Sequence, residues 1–200
     1  MLREVVALSA EFALSGRAKT MIERLSVAVD TCANHSDSCQ AVKNVLEAWI
    51  RPEADFLHPI FLQPVPDSYA RRLLYRDPKG AFTVVIMVWG EGQATPIHDH
   101  AGLWCVECVY RGCIQVDSYD LQGAPEDKEV GFREAGTVIA GCGSAGALIP
   151  PFDYHVIQNT GSEPAVTVHV YGGDMEWCHT YCDVGDGRYR RERKALSYTA

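Results

Sequence analysis

What the sequence lacks narrows it first. No apolar run is long enough to cross a bilayer. The longest uncharged stretch, Ala135 to Phe152, is broken by Gly136, Gly141, Gly143, Gly146, Pro150 and Pro151, which a membrane-spanning helix would not carry. Residues Met1 to Ala13 hold Glu4 and Glu11 where a secretory signal needs an unbroken apolar core, so a soluble, cytoplasmic protein is expected. Positive charge is also short: 18 Lys and Arg stand against 26 Asp and Glu, for a net charge of −8 and a pI near 5.3. That balance repels phosphate backbones and anionic lipid, so neither nucleic acid nor membrane is expected as a partner. The one basic cluster, Arg188-Tyr189-Arg190-Arg191-Glu192-Arg193-Lys194, reads as a solvated end. Cysteine is too sparse for a disulfide scaffold, at eight in 200 residues, where such scaffolds reach roughly 8–10%. The single CxxC, Cys105 to Cys108, lies in an apolar run and has no second pair, which excludes a zinc ribbon. Free thiols in a reducing compartment are expected. Internal repeats and low-complexity segments are missing too.

The chain's length fits a single domain, since a domain typically takes roughly 100–200 residues. Its N-terminal quarter carries helical periodicity. Val42, Val45, Leu46 and Trp49 make one apolar stripe, with Asp37 or Ser38 as the expected cap and Pro52 as the stop. An earlier helix is expected over 18–33, with Met21, Leu25, Val29 and Cys32 on one face. Residues 51–66 contain four prolines and read as a connector. From Tyr69 the period becomes two. Candidate strands are Tyr69–Arg76, Phe82–Trp89, Trp104–Tyr110, Cys113–Tyr119, Gly131–Glu134, Ala147–Ile149, Tyr154–Gln158 and Val166–Tyr171, separated by turn signals such as Asp77-Pro78-Lys79-Gly80. Many short strands predict a mainly β protein, a small antiparallel barrel with helices packed on it. The expected organisation is one domain over 1–200: a helical region and connector to 66, the barrel over 67–182, and a C-terminal extension over 183–200.

Histidine carries the chemistry. His98-Asp99-His100 puts two imidazoles at i and i+2, which on a strand share one face. His155 opens a later strand, and His169 lies on the last one with Thr167 and Tyr171 two residues to either side. Imidazole suits iron, zinc, copper and nickel. Three protein ligands with open positions make a catalytic rather than a structural site. On their own, His98 and His100 read first as surface residues near a turn, and Arg71 as a surface strand arginine.

Gly92-x5-His98-x-His100-x4-Cys105-x6-Gly112 resembles the first motif of the cupins, with Cys105 in place of their usual ligating glutamate. Gly141 to Asn159 resembles the second. Glu107 shares a strand face with Cys105 and is the nearest substitute carboxylate. A narrower resemblance is to the cysteine dioxygenase family. It rests on Trp89-Gly90-Glu91-Gly92, Ile97-His98-Asp99-His100, Cys105 and the run Glu163 to Tyr171, with Tyr69-Ala70-Arg71-Arg72 upstream and Cys178-His179 downstream.

The resemblance implies a cupin-type barrel (jelly roll) holding Fe(II) on His98, His100 and His155. It places the substrate's carboxylate on Arg71, with Tyr69 and Cys178 in the substrate pocket. Thr167, His169 and Tyr171 become a hydrogen-bonded string, and Cys105 becomes the partner of a thioether bond to Tyr171. The implied reaction joins L-cysteine and O2 to give cysteine sulfinic acid. Two departures concern the substrate. Cysteine-specific members usually follow the tyrosine with Ser-Pro-Pro, where this chain has Gly172-Gly173. Gly92 to Pro96 is nearer the 3-mercaptopropionate dioxygenase branch, which however usually lacks an arginine at position 71 and has one soon after the tyrosine. The alternatives are therefore another small thiol carboxylate or, in a different class, a non-redox metal-binding cupin isomerase or sensor. The sequence fixes no oligomeric state, and a monomer is compatible with it.

Overall fold

A computed structural model describes residues 14–151 and 153–199; the reading of residues 1–13 therefore lies outside the described residues. The described residues open with two helices, α1 (Gly16–Asp30) and α2 (His35–Trp49), followed by a short 3-10 turn at Pro59–Leu62. Eleven strands follow: β1 Ala70–Arg76, β2 Thr83–Trp89, β3 Ile97–His98, β4 Cys105–Arg111, β5 Cys113–Gln122, β6 Glu129–Gly141, β7 Ala145–Leu148, β8 His155–Gln158, β9 Ala165–Tyr171, β10 Trp177–Gly185 and β11 Arg188–Ala195. One sheet has the order β1-β2-β9-β4-β7 and the other is a ring, β10-β11-β6-β5-β8-β3. All pairings are antiparallel, and the architecture is mainly β and of the cupin type.

Strand alternation decides which side chains reach the interior. On β2, Val84, Ile86 and Val88 join the helix-side core while Val85, Met87 and Trp89 face the barrel. On β9, Val166, Val168 and Val170 meet the helices, so the intervening Thr167, His169 and Tyr171 point inward. Both faces of β2 and β9 are buried, which is why these two strands read as near-continuous apolar runs. The helices supply Met21, Leu25, Val42 and Leu46 to the outer face. Truncating one such fully buried leucine to alanine costs about 2–5 kcal/mol.

Several boundaries differ from the sequence reading. Helix α2 starts earlier than expected, because Asn34, rather than Asp37 or Ser38, is the cap: its side chain accepts from Asp37 N at 3.0 Å. Strand β6 runs over 13 residues, far beyond Gly131–Glu134. Its second half exposes Val138 and Ile139 and so lacks polar-apolar alternation. The basic segment is no free end: Arg188–Ala195 pairs with β10 and with β6. The expected extension at 183–200 is thus largely one arm of a hairpin within the ring. Among the described residues no helix is long and apolar enough to cross a membrane.

Candidate metal centre

The ring of strands closes at the histidines. Strand β3 is only two residues long, yet His98 pairs with His155 of β8 on one side and with Thr180 of β10 on the other. Asp99 fastens the turn that follows. Its side chain accepts from His179 N at 2.9 Å and from Ala101 N at 3.0 Å, and it meets His179 Nδ1 at 2.7 Å. His179 is therefore an anchor for the turn, and it stands apart from the cluster. His100, at the end of the turn, is brought inward against His98 and His155.

One ligand atom from each of His98, His100 and His155 lies within 4.8 Å of the other two, and this trio is the one such converging group among the described residues. Each ring has its Nδ1 occupied: His98 by Pro96 O at 3.2 Å, His100 by Asp153 Oδ2 at 3.1 Å, and His155 by Asp153 O at 2.8 Å. An Nδ1–H given to these acceptors leaves each Nε2 with its lone pair free, the arrangement that orients a metal-binding imidazole. His155 Nε2 is buried without a hydrogen-bond partner. An orphaned buried nitrogen costs free energy unless something coordinates it, so the donor set fits a metal ion that takes imidazole. Burial keeps the rings of His98 and His155 neutral and able to ligate, with His98 pushed down to about 4 and His155 well below its ordinary value, each lowered further by its histidine neighbours.

The cavity in front of the triad is lined by Tyr69, Arg71, Met87, His169, Tyr171 and Cys178, among others. Arg71 is buried, and its Nη2 donates to Met175 O at 2.8 Å. Arg72, its neighbour, points to the other face of β1 and donates to Gln63 O at 2.6 Å. Behind the cavity runs a hydrogen-bonded string. Trp89 Nε1 donates to Thr167 Oγ1 at 2.9 Å, and Thr167 Oγ1 lies 2.7 Å from His169 Nε2. Having accepted from Trp89, Thr167 has its own proton to give to His169 Nε2. His169 Nδ1 then carries the ring proton and faces Tyr171 Oη at 3.5 Å. His169 is pushed down to about 3, chiefly by burial, so it stays neutral. Burial also holds the Tyr171 phenol well above its ordinary value.

Cys105 is fully buried and is the cross-strand partner of Tyr171; side chains of such partners stand about 5 Å apart at Cβ. Burial, and then Glu107, keeps Cys105 a thiol. Two carboxylates complete the surroundings. Asp153 Oδ2 accepts from both the backbone N and Nδ1 of His100, a role no sequence motif marked. Glu107 places Oε2 at 4.0 Å from His155 Nε2 and 3.7 Å from His169 Nδ1. It does not join the converging group; its Oε2 has no hydrogen-bond partner, and burial pushes its carboxyl up to about 8.

Comparison with known proteins gives the chain's family. The sequence model of the family described as cysteine dioxygenase type I matches residues 11–184. Cysteine dioxygenase type 1 of Rattus norvegicus is 25% identical over 165 residues, covering 82% of this chain and 79% of that protein. Its counterpart in Danio rerio is 25% identical over 148 residues, covering 73% and 71%. With the match running through both helices and nearly the whole barrel, the chain belongs to the cysteine dioxygenase type I family.

Proposed function

We propose that this protein is an iron-dependent thiol dioxygenase that converts L-cysteine and O2 to cysteine sulfinic acid. Both oxygen atoms enter the product, R–SH + O2 giving R–SO2H, so no further reductant is needed. The observation that carries the reading is the trio of converging imidazoles, each with its Nδ1 engaged and its Nε2 left free, and no carboxylate among them. Iron(II) held by His98, His100 and His155 would supply redox chemistry and a dipositive charge that favours thiolate over thiol.

The chain's own residues do the rest. Arg71 keeps N–H groups beyond the one given to Met175 and can grip the substrate's carboxylate from the cavity wall. With both ends of the substrate fixed, its sulfur is confined to one place, which lowers the entropic part of the barrier. Tyr171, protonated and backed by His169 and Thr167, can donate a hydrogen bond into the cavity. Met87, Ile157 and Met175 make part of that cavity apolar and limit the water reaching it. The adjacency of Cys105 and Tyr171 supports a thioether between the cysteine sulfur and the tyrosine ring, formed with loss of two hydrogens to O2.

The test is iron analysis of the purified protein together with O2 uptake on L-cysteine, 3-mercaptopropionate and cysteamine. Uptake on L-cysteine with a bound iron, abolished in His155→Ala, is expected. A higher kcat/KM on 3-mercaptopropionate would move the substrate to thiol carboxylates without an amine. Iron-loaded protein that oxidises none of the three, or a fully active His155→Ala, would refute the proposal. A zinc- or manganese-loaded protein without O2 uptake would point to a non-redox cupin.

A further inference from the structure

The end of β11 and the segment after it run alongside the cavity from one sheet to the other. Leu196 N donates to Glu176 O at 2.8 Å, and Thr199 N donates to Arg71 O at 2.7 Å. Arg71 N in turn donates to Thr199 Oγ1 at 3.0 Å. Strand β1 is the edge of its sheet, so Thr199 satisfies both backbone groups that Arg71 presents on that open edge. From Lys194 to the second anchor point the side chains alternate. Lys194 and Leu196 line the cavity, and Tyr198, two residues on, lays its ring against Arg71 with the guanidinium carbon 4.5 Å from the ring centroid. Tyr198 is itself fixed, since its hydroxyl donates to Asp174 Oδ1 at 3.1 Å and Asp174 pairs with Arg76 at 2.8 Å.

We infer that residues 194–199 form a wall of the substrate pocket and that Tyr198 is the positioning residue of Arg71. A guanidinium is planar, and its recognition of a carboxylate depends on the direction of its N–H fork. Arg71 is tied through Nη2 to Met175 O on one hand and stacked on Tyr198 on the other. These two contacts fix the plane of the fork before any substrate arrives, so binding does not have to order it. The stack also gives the cation a π-face to rest on inside a largely apolar pocket. Tyr198 acts through Arg71, and its effect belongs to substrates that carry a carboxylate.

The inference rests on the proposed role of Arg71 as carboxylate anchor, and its test separates the two. Three variants are needed: Tyr198→Phe keeps the ring, Tyr198→Leu keeps apolar bulk without a π-face, and Tyr198→Ala removes both. In the iron-loaded enzyme, Tyr198→Ala and Tyr198→Leu are expected to raise KM for L-cysteine about thirtyfold with kcat little changed, the size a desolvated cation–π contact implies. KM for cysteamine, which has no carboxylate, is expected to hold, and Tyr198→Phe to stay close to the parent. An unchanged KM for L-cysteine in Tyr198→Leu, or an equal rise for both thiols, would overturn the inference. A second readout needs no turnover: the Arg71 Nε–H resonance in zinc-loaded protein. A slowly exchanging signal in the parent and Tyr198→Phe, lost in Tyr198→Leu, supports the stack; an unaltered signal in Tyr198→Leu overturns it. If the parent oxidises no thiol, the proposed function fails and this resonance alone decides the inference.

Discussion

Gly172 follows Tyr171 directly, and the sequence-level resemblance marks it as a departure, since serine usually stands there in cysteine-specific members. The structure gives the physical reason. A Cβ built on Gly172 would run into Trp104 Nε1 and Cε2 and lie 2.6 Å from Cδ1, where carbon atoms pack at about 3.5–4.0 Å. The indole would have to recoil by about 1 Å. It has little room to do so, being 4% exposed and held on the same backbone that accepts from Gly172 N at 2.9 Å. The glycine cannot retreat either, because Tyr171 is registered against Cys105 on one side and Thr83 on the other. Gly172→Ala is therefore an overpacking change and is expected to cost about 1–3 kcal/mol. The decisive experiment is a double-mutant cycle by urea denaturation. Trp104→Ala opens the space, so adding Gly172→Ala to it is expected to cost about 0.5 kcal/mol or less, giving a coupling of about 0.5–3 kcal/mol. Equal costs in the two backgrounds, or a single variant as stable as the parent, would show that the indole does not exclude a side chain at 172.

Two further outcomes follow from the carboxylates. Asp153→Asn keeps the shape beside His100 but removes the charge that orients its ring, and metal affinity measured by chelator competition is expected to fall about 10–100-fold; a change under twofold in a folded variant would refute that role. Glu107 has a folded value of about 8 against an unfolded value of 4.5, so the folded state binds more protons and stability falls as pH rises through that window. His98, with a folded value of about 4 against 6.5, acts in the opposite sense and loses stability only as pH falls below 6.5. Between pH 6.5 and 8 the metal-free protein should therefore lose up to about 2 kcal/mol through Glu107. Glu107→Gln should remove that decline, as followed by denaturant midpoints at several pH values, and an identical decline in the variant would count against the assignment.

The readable parts of the sequence were those where one physical rule acts alone. The stripe of Val42, Val45, Leu46 and Trp49 has one face to bury, and β2 and β9 have two, so pattern and structure coincide there. The histidines were legible from their spacing, but the reason differs from strand alternation: β3 ends at His98, and His100 is carried inward by the turn that Asp99 fastens. The C-terminal hairpin was not. On Arg188 to Lys194 the charges fall on both faces, because most of these side chains are exposed, and the pairing is carried by backbone groups that leave no trace in composition. Asp153 was equally silent, since a carboxylate that orients a ligand sits wherever the barrel brings it. Glu107 was visible as a face-mate of Cys105, but its failure to join the imidazoles depends on distances that only the folded ring sets.

The closure of the ring at β3 has a consequence for the order in which the molecule is made. A polypeptide emerges from its N-terminus, and His98 and Asp99 emerge long before the strand that flanks them. Asp99 is fastened by His179, 80 residues later, and His98 is flanked on one side by Thr180. His155 also appears well after His98. Throughout most of synthesis the first two imidazoles belong to an open edge that cannot hold the spacing of the finished trio. A nascent chain therefore lacks the complete trio until His155 has emerged, and the turn that carries His98 and His100 is fastened only once β10 has docked.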